Sequence, residues 1–321
     1  MDVKQSPFSL YDFLGYLFPG AIAIFALHYV FSYLGMDTGL TELTALTQAS
    51  AILPFTLLSY LGGHLLSLLS SFTVERYYLW NFDYPSKMLL NYDRRPLFES
   101  RFSVLNCAKW VCILLLLPVS LCVACMCFFA AGRPGIAQSM DSLLTRIIRF
   151  KITRLLVEKG QVSNPNQYAG PNSSDFFRFV YHYALEAAPA HFGKMQNYVA
   201  LFGFNRAMCL LFCIIFWVGI ASVMFMPTDR AVRVVMVSST VSLFFFFGFA
   251  KFYRRFSLEA LMAMAVTYTF PAELLELDLP KVPPSSRTGY TSPRASQFSG
   301  VMNDLRRKIQ VRRESWGRKG T

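Results

Sequence analysis

The sequence predicts an all-α integral membrane bundle of four to five transmembrane helices, with a small helical cytoplasmic insert. Hydrophobic residues make up 54% of the 321-residue chain, and the mean hydropathy of +0.37 is high for a soluble domain. Several apolar stretches match the thickness of a bilayer. The net charge of +12 is carried mainly by residues between or after those stretches, which is the pattern of basic loops that face the cytoplasm.

Five stretches are long enough to be spans, because about 20 helical residues rise about 30 Å, the thickness of the hydrocarbon core. They cover residues 13–34, 51–72, 111–131, 207–226 and 231–250. Only the residues PTDR separate the last two stretches, which predicts a helical hairpin with a tight turn.

The second stretch is the least apolar and contains several small residues. Small side chains let two helix backbones approach closely in lipid. We therefore expect a helix contact at Ser59, Gly62, Gly63 and Ser67.

Basic residues set the predicted topology. Residues 35–50 contain no Lys or Arg, whereas residues 73–110, 132–206 and 251–321 contain six, nine and thirteen. The first loop is therefore expected outside the cell and the other three segments in the cytoplasm.

The segment 111–131 leaves two arrangements open. In the first, four helices cross, both termini lie inside, and 111–131 is re-entrant, with Pro118 as a candidate bend. In the second, five helices cross, the amino terminus lies outside, and the basic loop 73–110 is exported. The lack of charge over 21 residues favours a crossing, whereas the charge distribution favours re-entry.

The insert 132–206 contains two helices separated by a polar loop, NPNQYAGPNSS. The first is basic and amphipathic, although Lys151 and Arg154 intrude on its apolar side. The second is expected to begin at the capping residues Ser174 and Asp175. The apolar positions of the first helix are Leu143, Ile147, Ile148, Ile152, Leu155 and Leu156, and those of the second are Phe176, Phe179, Val180 and Tyr183.

After the hairpin, the last helix is expected to continue into the cytoplasm until Pro271, and a tail rich in Pro, Ser, Gly and basic residues is predicted to be disordered. The predicted parts of the chain are a first transmembrane pair (1–72), a cytoplasmic basic loop (73–110), an apolar membrane segment (111–131), a helical cytoplasmic insert (132–206), a transmembrane hairpin (207–255), a cytoplasmic helical extension (256–279) and a disordered basic tail (280–321).

Polar residues inside the spans are the first candidates for function, because ionisable groups are costly in lipid. His28, Ser59 and His64 fall in the first two spans. A proton or ligand path is one interpretation, and a neutral His bonded to a neighbouring helix is the simpler one. The basic residues at span ends, Arg206, Lys251, Arg254 and Arg255, are expected to anchor helix ends among the headgroups.

No cofactor, metal or catalytic chemistry is predicted. Cys122, Cys125 and Cys127 have the spacing of soft-metal ligands, but thiols in an apolar segment stay protonated and pack as small apolar groups. The sequence contains no phosphate-binding Gly loop and no protease, esterase or kinase signature. We also expect no charged pair within the spans. An enzyme is therefore disfavoured, and the basic tail is expected to contact anionic lipid headgroups rather than nucleic acid.

Three short motifs resemble a group of uncharacterised multi-pass proteins of the bacterial inner membrane. They are YDFLGYLFPG at 11–20, LGGH at 61–64 and FNR at 204–206. The resemblance implies two spans, a cytoplasmic helical insert and two further spans, and the charge distribution places the carboxyl terminus in the cytoplasm. The stretch 111–131 departs from that pattern, and the resemblance implies no activity.

These features predict a non-enzymatic membrane scaffold or effector that associates with itself, or with a partner membrane protein, through small-residue helix faces. Its cytoplasmic insert would receive a signal or partner, and one version perturbs the membrane on assembly. The alternative is a channel or transporter that uses His28, Ser59, His64 and the hydroxyls of 238–240.

Overall fold

The computed structural model describes residues 13–36, 49–92, 104–129, 138–161 and 176–269. Every regular element in these ranges is helical, as predicted. Residues 13–126 and 138–269 belong to one compact unit, which contains all the contacts described below. The α-helices are α1 (Phe18–Tyr33), α2 (Ala49–Ser70), α3 (Arg76–Phe82), α4 (Pro85–Leu89), α5 (Val104–Leu115), α6 (Leu117–Phe129), α7 (Ser142–Glu158), α8 (Phe176–Ala187), α9 (Phe192–Phe225) and α10 (Asp229–Thr267).

Four helical stretches in the described part of the chain are long and apolar enough to cross a membrane. They are Phe13–Tyr33, Ala51–Leu89, Pro189–Phe225 and Asp229–Thr267. Four of the five predicted stretches are therefore confirmed as long apolar helices. At 1.5 Å per residue, α9 and α10 are about 50 and 60 Å long, so both extend well beyond the thickness of a hydrocarbon core.

The four long helices run alternately up and down. At one end Arg230, which follows the α9–α10 turn, lies over the ring of Tyr33 at the end of α1. At the other end Phe18 contacts Phe204 with ring centres 6.0 Å apart. We call the first the hairpin end and the second, which carries Glu75, Arg206 and most of the described basic residues, the basic end.

The helices α1 and α2 cross in close contact. A Cβ added to Gly20 would lie 1.7 Å from the carbonyl oxygen of Ser59, and one added to Gly63 would lie 1.8 Å from that of Tyr16. Only glycine permits backbones to approach this closely. The predicted small-residue contact is therefore confirmed at Ser59 and Gly63 but not at Gly62, where an added Cβ would meet no atom within 4 Å. The contact lies within one chain, so Ser59 and Gly63 are not available to a second copy.

The stretch 111–131 is not a straight helix. The axes of α5 and α6 meet at 99° at Leu116, two residues before Pro118. Proline removes a backbone donor and clashes with the preceding turn, which frees carbonyls at this point. The bend is buried in protein, since Leu116 and Val119 have no exposed surface.

Two side chains satisfy carbonyls freed at the bend. The hydroxyl of Ser120 donates to the carbonyl of Ile113 at 3.0 Å. The indole N–H of Trp217, on α9, donates to the carbonyl of Leu115 at 3.0 Å. Trp217 is eleven residues beyond Arg206, or about 16 Å along α9, so the bend lies roughly half a hydrocarbon thickness from the basic end.

Described residues before and after this bent segment contact the basic end. On the way in, Lys109 lies over the ring of Trp80, which follows α2 in α3. On the way out, the carbonyl of Gln138 accepts from Arg254, and the amide of Met140 donates to the carbonyl of Leu89 at 3.1 Å.

The insert helix α7 packs on the end of α10. Its buried residues are Thr145, Ile148, Ile152, Leu155 and Leu156. Lys151 donates to the carbonyls of Ala265 and Tyr268 at 2.5 and 2.8 Å, which satisfies orphan carbonyls at the end of α10. The predicted intrusion of Lys151 on the apolar side is thus explained, because the ammonium caps a helix.

The predicted apolar stripe of the second insert helix is confirmed in part. Phe176, Val180 and Ala184 are buried in α8, while Phe179 and Tyr183 are half-buried. The predicted cap at 174–175, the end of the helical extension at Pro271 and the tail 280–321 lie outside the described residues.

Candidate functional site

A half-buried ion pair joins the ends of two long helices at the basic end. The guanidinium of Arg206, on α9, donates from Nη1 to Glu75 and from Nε to the hydroxyl of Ser70 at 3.1 Å. Its Nη2 lies 3.4 Å from both the carbonyl and the hydroxyl oxygen of Ser67. Only 11% of the Arg206 side chain and 24% of the Glu75 side chain are exposed.

Two π-helical turns shape this region. Ser71–Glu75 is inserted between α2 and α3, and Phe13–Leu17 precedes α1. A π turn adds one residue to the helical repeat, which changes the direction of the side chains that follow it. Because Glu75 is the last residue of its π turn, this insertion sets the direction in which its carboxylate points. Such turns are rare and occur frequently at functional sites.

A cavity of about 340 Å³ lies beside the ion pair. All four long helical stretches contribute to it, so it forms where they converge. Its lining consists of Gly15, Tyr16, Ser67, Glu75, Val199, Phe202, Gly203, Arg206, Tyr253 and Phe256. Phe202 lies 5.0 Å from the ring of Tyr253 and 5.9 Å from that of Phe256, so one wall is a cluster of aromatic rings.

The predicted polar candidates in the first two helices are not brought together. His64 is exposed and stacks on the ring of Tyr16 at 3.8 Å, next to the cavity. Ser59 is fully buried at the Gly20 crossing, and its hydroxyl has no hydrogen-bond partner within the described ranges. His28 lies eight residues beyond Gly20, about 12 Å along α1.

The hydroxyls predicted to line a path in the last helix bond to their own backbone instead. Ser238 donates to the carbonyl of Val234 at 2.6 Å, and Thr240 donates to that of Met236 at 3.0 Å. Such bonds within a helix satisfy a hydroxyl without a neighbouring group. These two hydroxyls therefore give no support to a polar path.

The four basic residues predicted at span ends fall into two groups. Lys251 and Arg255 are exposed, as residues that contact headgroups would be. Arg254 donates to the carbonyl of Gln138 at 3.1 Å and joins α10 to the segment before α7. Arg206 turns inward to pair with Glu75, and only 11% of its side chain is exposed.

Glu75 is the candidate site residue that sequence reasoning missed. The expectation of no charged pair within the spans is not contradicted, because Glu75 and Arg206 lie just beyond the ends of the predicted spans, where they meet across 131 residues. One signal was present, because Glu75 is the first charged residue after an uncharged stretch of 32 residues at 43–74. Its partner could not be identified without the fold.

A second charged cluster lies further from the apolar core. Glu259 of α10 accepts from the Nδ1–H of His191 and from Lys194, both at 2.8 Å. Burial raises the pKa of Glu259, but the hydrogen bonds from Lys194 and His191 outweigh it and bring the pKa below the ordinary value of 4.5. The same bond raises the pKa of Lys194 above 10.5.

Metal-ligating side chains do not cluster in the described part of the chain, where no group of three His, Cys, Asp or Glu residues comes together. Cys122 and Cys125 form no disulfide, and the side chain of Cys127 lies outside the described residues. The comparisons with known proteins give no match to a family model, a curated protein or a solved structure.

Proposed function

We propose that the chain is a non-enzymatic multi-pass protein of the bacterial inner membrane, with four crossing helices and the basic end in the cytoplasm. The four long apolar helices support the crossings. The charge distribution supports the orientation, and the resemblance of the spans to bacterial inner-membrane proteins supports the location.

In this proposal the segment 111–131 is re-entrant. The 99° bend and the contacts of Lys109 and Gln138 at the same end of the bundle support it. Where a backbone turns inside a membrane, its free N–H and C=O groups must be hydrogen-bonded by other parts of the protein. Ser120 and Trp217 supply such hydrogen bonds at the bend.

The function we propose is that of a scaffold or effector that receives a partner on α7. One observation carries this proposal, which is that α7 has large apolar side chains on two opposite faces. One face is buried against the bundle, while the other leaves Leu143, Ile147 and Val157 exposed by 61%, 42% and 42%. A helix that is merely solvated on its outer side would present polar groups there.

The contacts of α7 would transmit binding to the spans. Lys151 and Glu158 tie α7 to the end of α10, through the carbonyls of Ala265 and Tyr268 and through the hydroxyl of Tyr268, which donates to Glu158 at 2.6 Å. Because α10 is one continuous helix of 39 residues, a displacement of α7 on partner binding would be passed to the membrane-crossing part of α10.

Cross-linking in native membranes tests the scaffold. A photoreactive residue at Leu143 or Ile147 should trap a second copy or a partner membrane protein, and two differently tagged copies should co-purify if the partner is the chain itself. The double variant Leu143→Glu/Ile147→Glu should lose the product and keep its thermal stability, because both positions are exposed. His182, exposed on α8, gives the control position. Equal trapping at 143, 147 and 182, or none, would contradict a partner surface on α7.

A channel or transporter is the second candidate, and the cavity beside Arg206 and Glu75 favours it. A charged pair beside interrupted helices is a feature of transport sites. Ion flux into proteoliposomes should then be measurable and should fall with His64→Ala and Glu75→Gln but not with His182→Ala. Vesicles that stay silent with the folded protein would count against transport.

A further inference from the structure

The cavity at the basic end has the size of a small-molecule site, since such sites begin at about 300 Å³. The charged groups of Arg206 and Glu75 border this space and keep part of their surface exposed. Unfilled volume forfeits contacts, so a molecule that filled the space beside the pair would gain them. The open space beside the pair therefore favours a ligand.

The charges in the lining restrict the kind of ligand. Among the ten described residues that line the cavity, only Arg206 and Glu75 are charged. An anion would be attracted by the first and repelled by the second, and a cation would meet the reverse. A group that carries one positive and one negative charge satisfies both.

The walls and the position of the cavity indicate where that ligand comes from. Four of the ten described lining residues are aromatic, namely Tyr16, Phe202, Tyr253 and Phe256. Aromatic side chains concentrate at the level where hydrocarbon meets headgroups. The cavity lies where the uncharged parts of all four helices end, so a phospholipid would reach it from the surrounding membrane.

We propose that this cavity binds the headgroup of a zwitterionic phospholipid that carries a primary ammonium group, as phosphatidylethanolamine does. The phosphate is held by Arg206 and the ammonium by Glu75. Guanidinium groups match phosphate oxygens with two parallel hydrogen bonds, and a carboxylate accepts from an ammonium. The site is separate from the partner surface proposed on α7 and does not depend on it.

The existing contacts of Arg206 leave room for a phosphate. A guanidinium has five N–H donors. One bond goes to Ser70 and one to Glu75, while the two contacts with Ser67 are long, at 3.4 Å. The phosphate can displace these long contacts without breaking the pair with Glu75.

The test uses the full-length protein in detergent after removal of bound lipid, with affinities measured by native mass spectrometry and by thermal shift. Phosphatidylethanolamine should bind about tenfold more tightly than phosphatidylglycerol, the effect expected of one charge-assisted hydrogen bond. Tighter binding of phosphatidylglycerol would overturn the proposal, because it would indicate a site for anionic lipid. Soluble phosphoethanolamine binding as tightly as the lipid would overturn the lipid as the source.

The variant Glu75→Gln tests the ammonium contact. It removes the partner of the ammonium and the repulsion of an anionic headgroup, so the tenfold preference should disappear while phosphatidylglycerol binds more tightly than before. An unchanged preference in this variant would overturn the assignment of Glu75.

A cavity-filling variant keeps the proposal testable if Glu75→Gln does not fold. A Cβ added to Gly203 meets no atom within 4 Å, and Gly203 lines the cavity. The variant Gly203→Leu should therefore fold and lose lipid binding at least about tenfold. Gly193, on the same helix and equally unobstructed, lies outside the lining, so Gly193→Leu is the matched control. Equal lipid binding by both variants would overturn the proposal.

Discussion

The chain interrupts its apolar helices in two ways, and the two interruptions differ in chemistry. The bend between α5 and α6 is uncharged, and the neutral donors Ser120 and Trp217 satisfy its freed carbonyls. The π turn Ser71–Glu75 ends in a carboxylate, which pairs with Arg206 beside a cavity.

The difference indicates which interruption serves the fold and which serves a ligand. At the bend, Leu116 and Val119 have no exposed surface. At the π turn, both charged groups retain exposure and border open space. We therefore interpret the bend as structural and the π turn as part of a binding site.

Removing Arg206 should have the largest effect. Arg206→Gln leaves the carboxylate of Glu75 partly buried without its cation, which should lower the free energy of unfolding by about 3 kcal/mol. The double variant Glu75→Gln/Arg206→Gln should recover most of the loss, because no lone charge remains. Thermal unfolding in detergent measures both, with exposed Arg255→Gln as the control. A double variant as unstable as Arg206→Gln would contradict the account of the pair.

Overpacking the α1–α2 crossing, where no charged group takes part, should have the next largest effect. Gly63→Ala would place a methyl group 1.8 Å from the carbonyl oxygen of Tyr16, and such overpacking costs about 1–3 kcal/mol. Its neighbour Gly62 has no atom within 4 Å of an added Cβ, so Gly62→Ala should be neutral or stabilising. Melting temperatures of the two variants measure the difference, and equal values would contradict the observed register.

A smaller loss is expected at the bend. Trp217→Phe keeps the aromatic ring but removes the donor to the carbonyl of Leu115, which should cost about 1–2 kcal/mol. Trp110, whose side chain is 63% exposed, should tolerate the same change with less than about 0.5 kcal/mol. Chemical unfolding of the two variants measures the difference. If Trp217→Phe is as mild as Trp110→Phe, the indole does not stabilise the bend.

The charged cluster of Glu259 with His191 and Lys194 should give the smallest effect, which is a change in how stability depends on pH in acid. Because the pKa of Glu259 is lowered in the folded state, its stabilisation is complete above about pH 4.5 and is lost as the pH falls through the lowered value. Glu259→Gln should therefore be less stable at pH 7. Its melting temperature should also fall less steeply with decreasing pH in acid, which we call a flatter acid limb. Glu186→Gln, at an exposed position, should leave the limb unchanged. An identical limb in Glu259→Gln would exclude this role.

The sequence predicts the helices well and their long-range contacts poorly. Hydropathy and helical spacing locate the long helices, and small residues locate the contact at Gly63, because these are local properties. The pair of Glu75 with Arg206 spans 131 residues and the bond of Trp217 to Leu115 spans 102, and neither leaves a local pattern. Lys151 interrupts an apolar stripe in the sequence. Only the fold explains this, because it places the ammonium group against a carbonyl at the end of α10.

The central claim is that the bent segment enters and leaves on one side of the membrane. The basic end, the cavity and the partner surface on α7 then all lie on that side. Insertion of a protease site into the full-length protein, at about residues 45, 97 and 168, tests it most directly in intact spheroplasts and in inverted vesicles. We predict that sites 97 and 168 are cleaved only in inverted vesicles, and that site 45 is cleaved in spheroplasts. Cleavage of 97 and 168 from opposite sides would contradict re-entry and establish a fifth crossing.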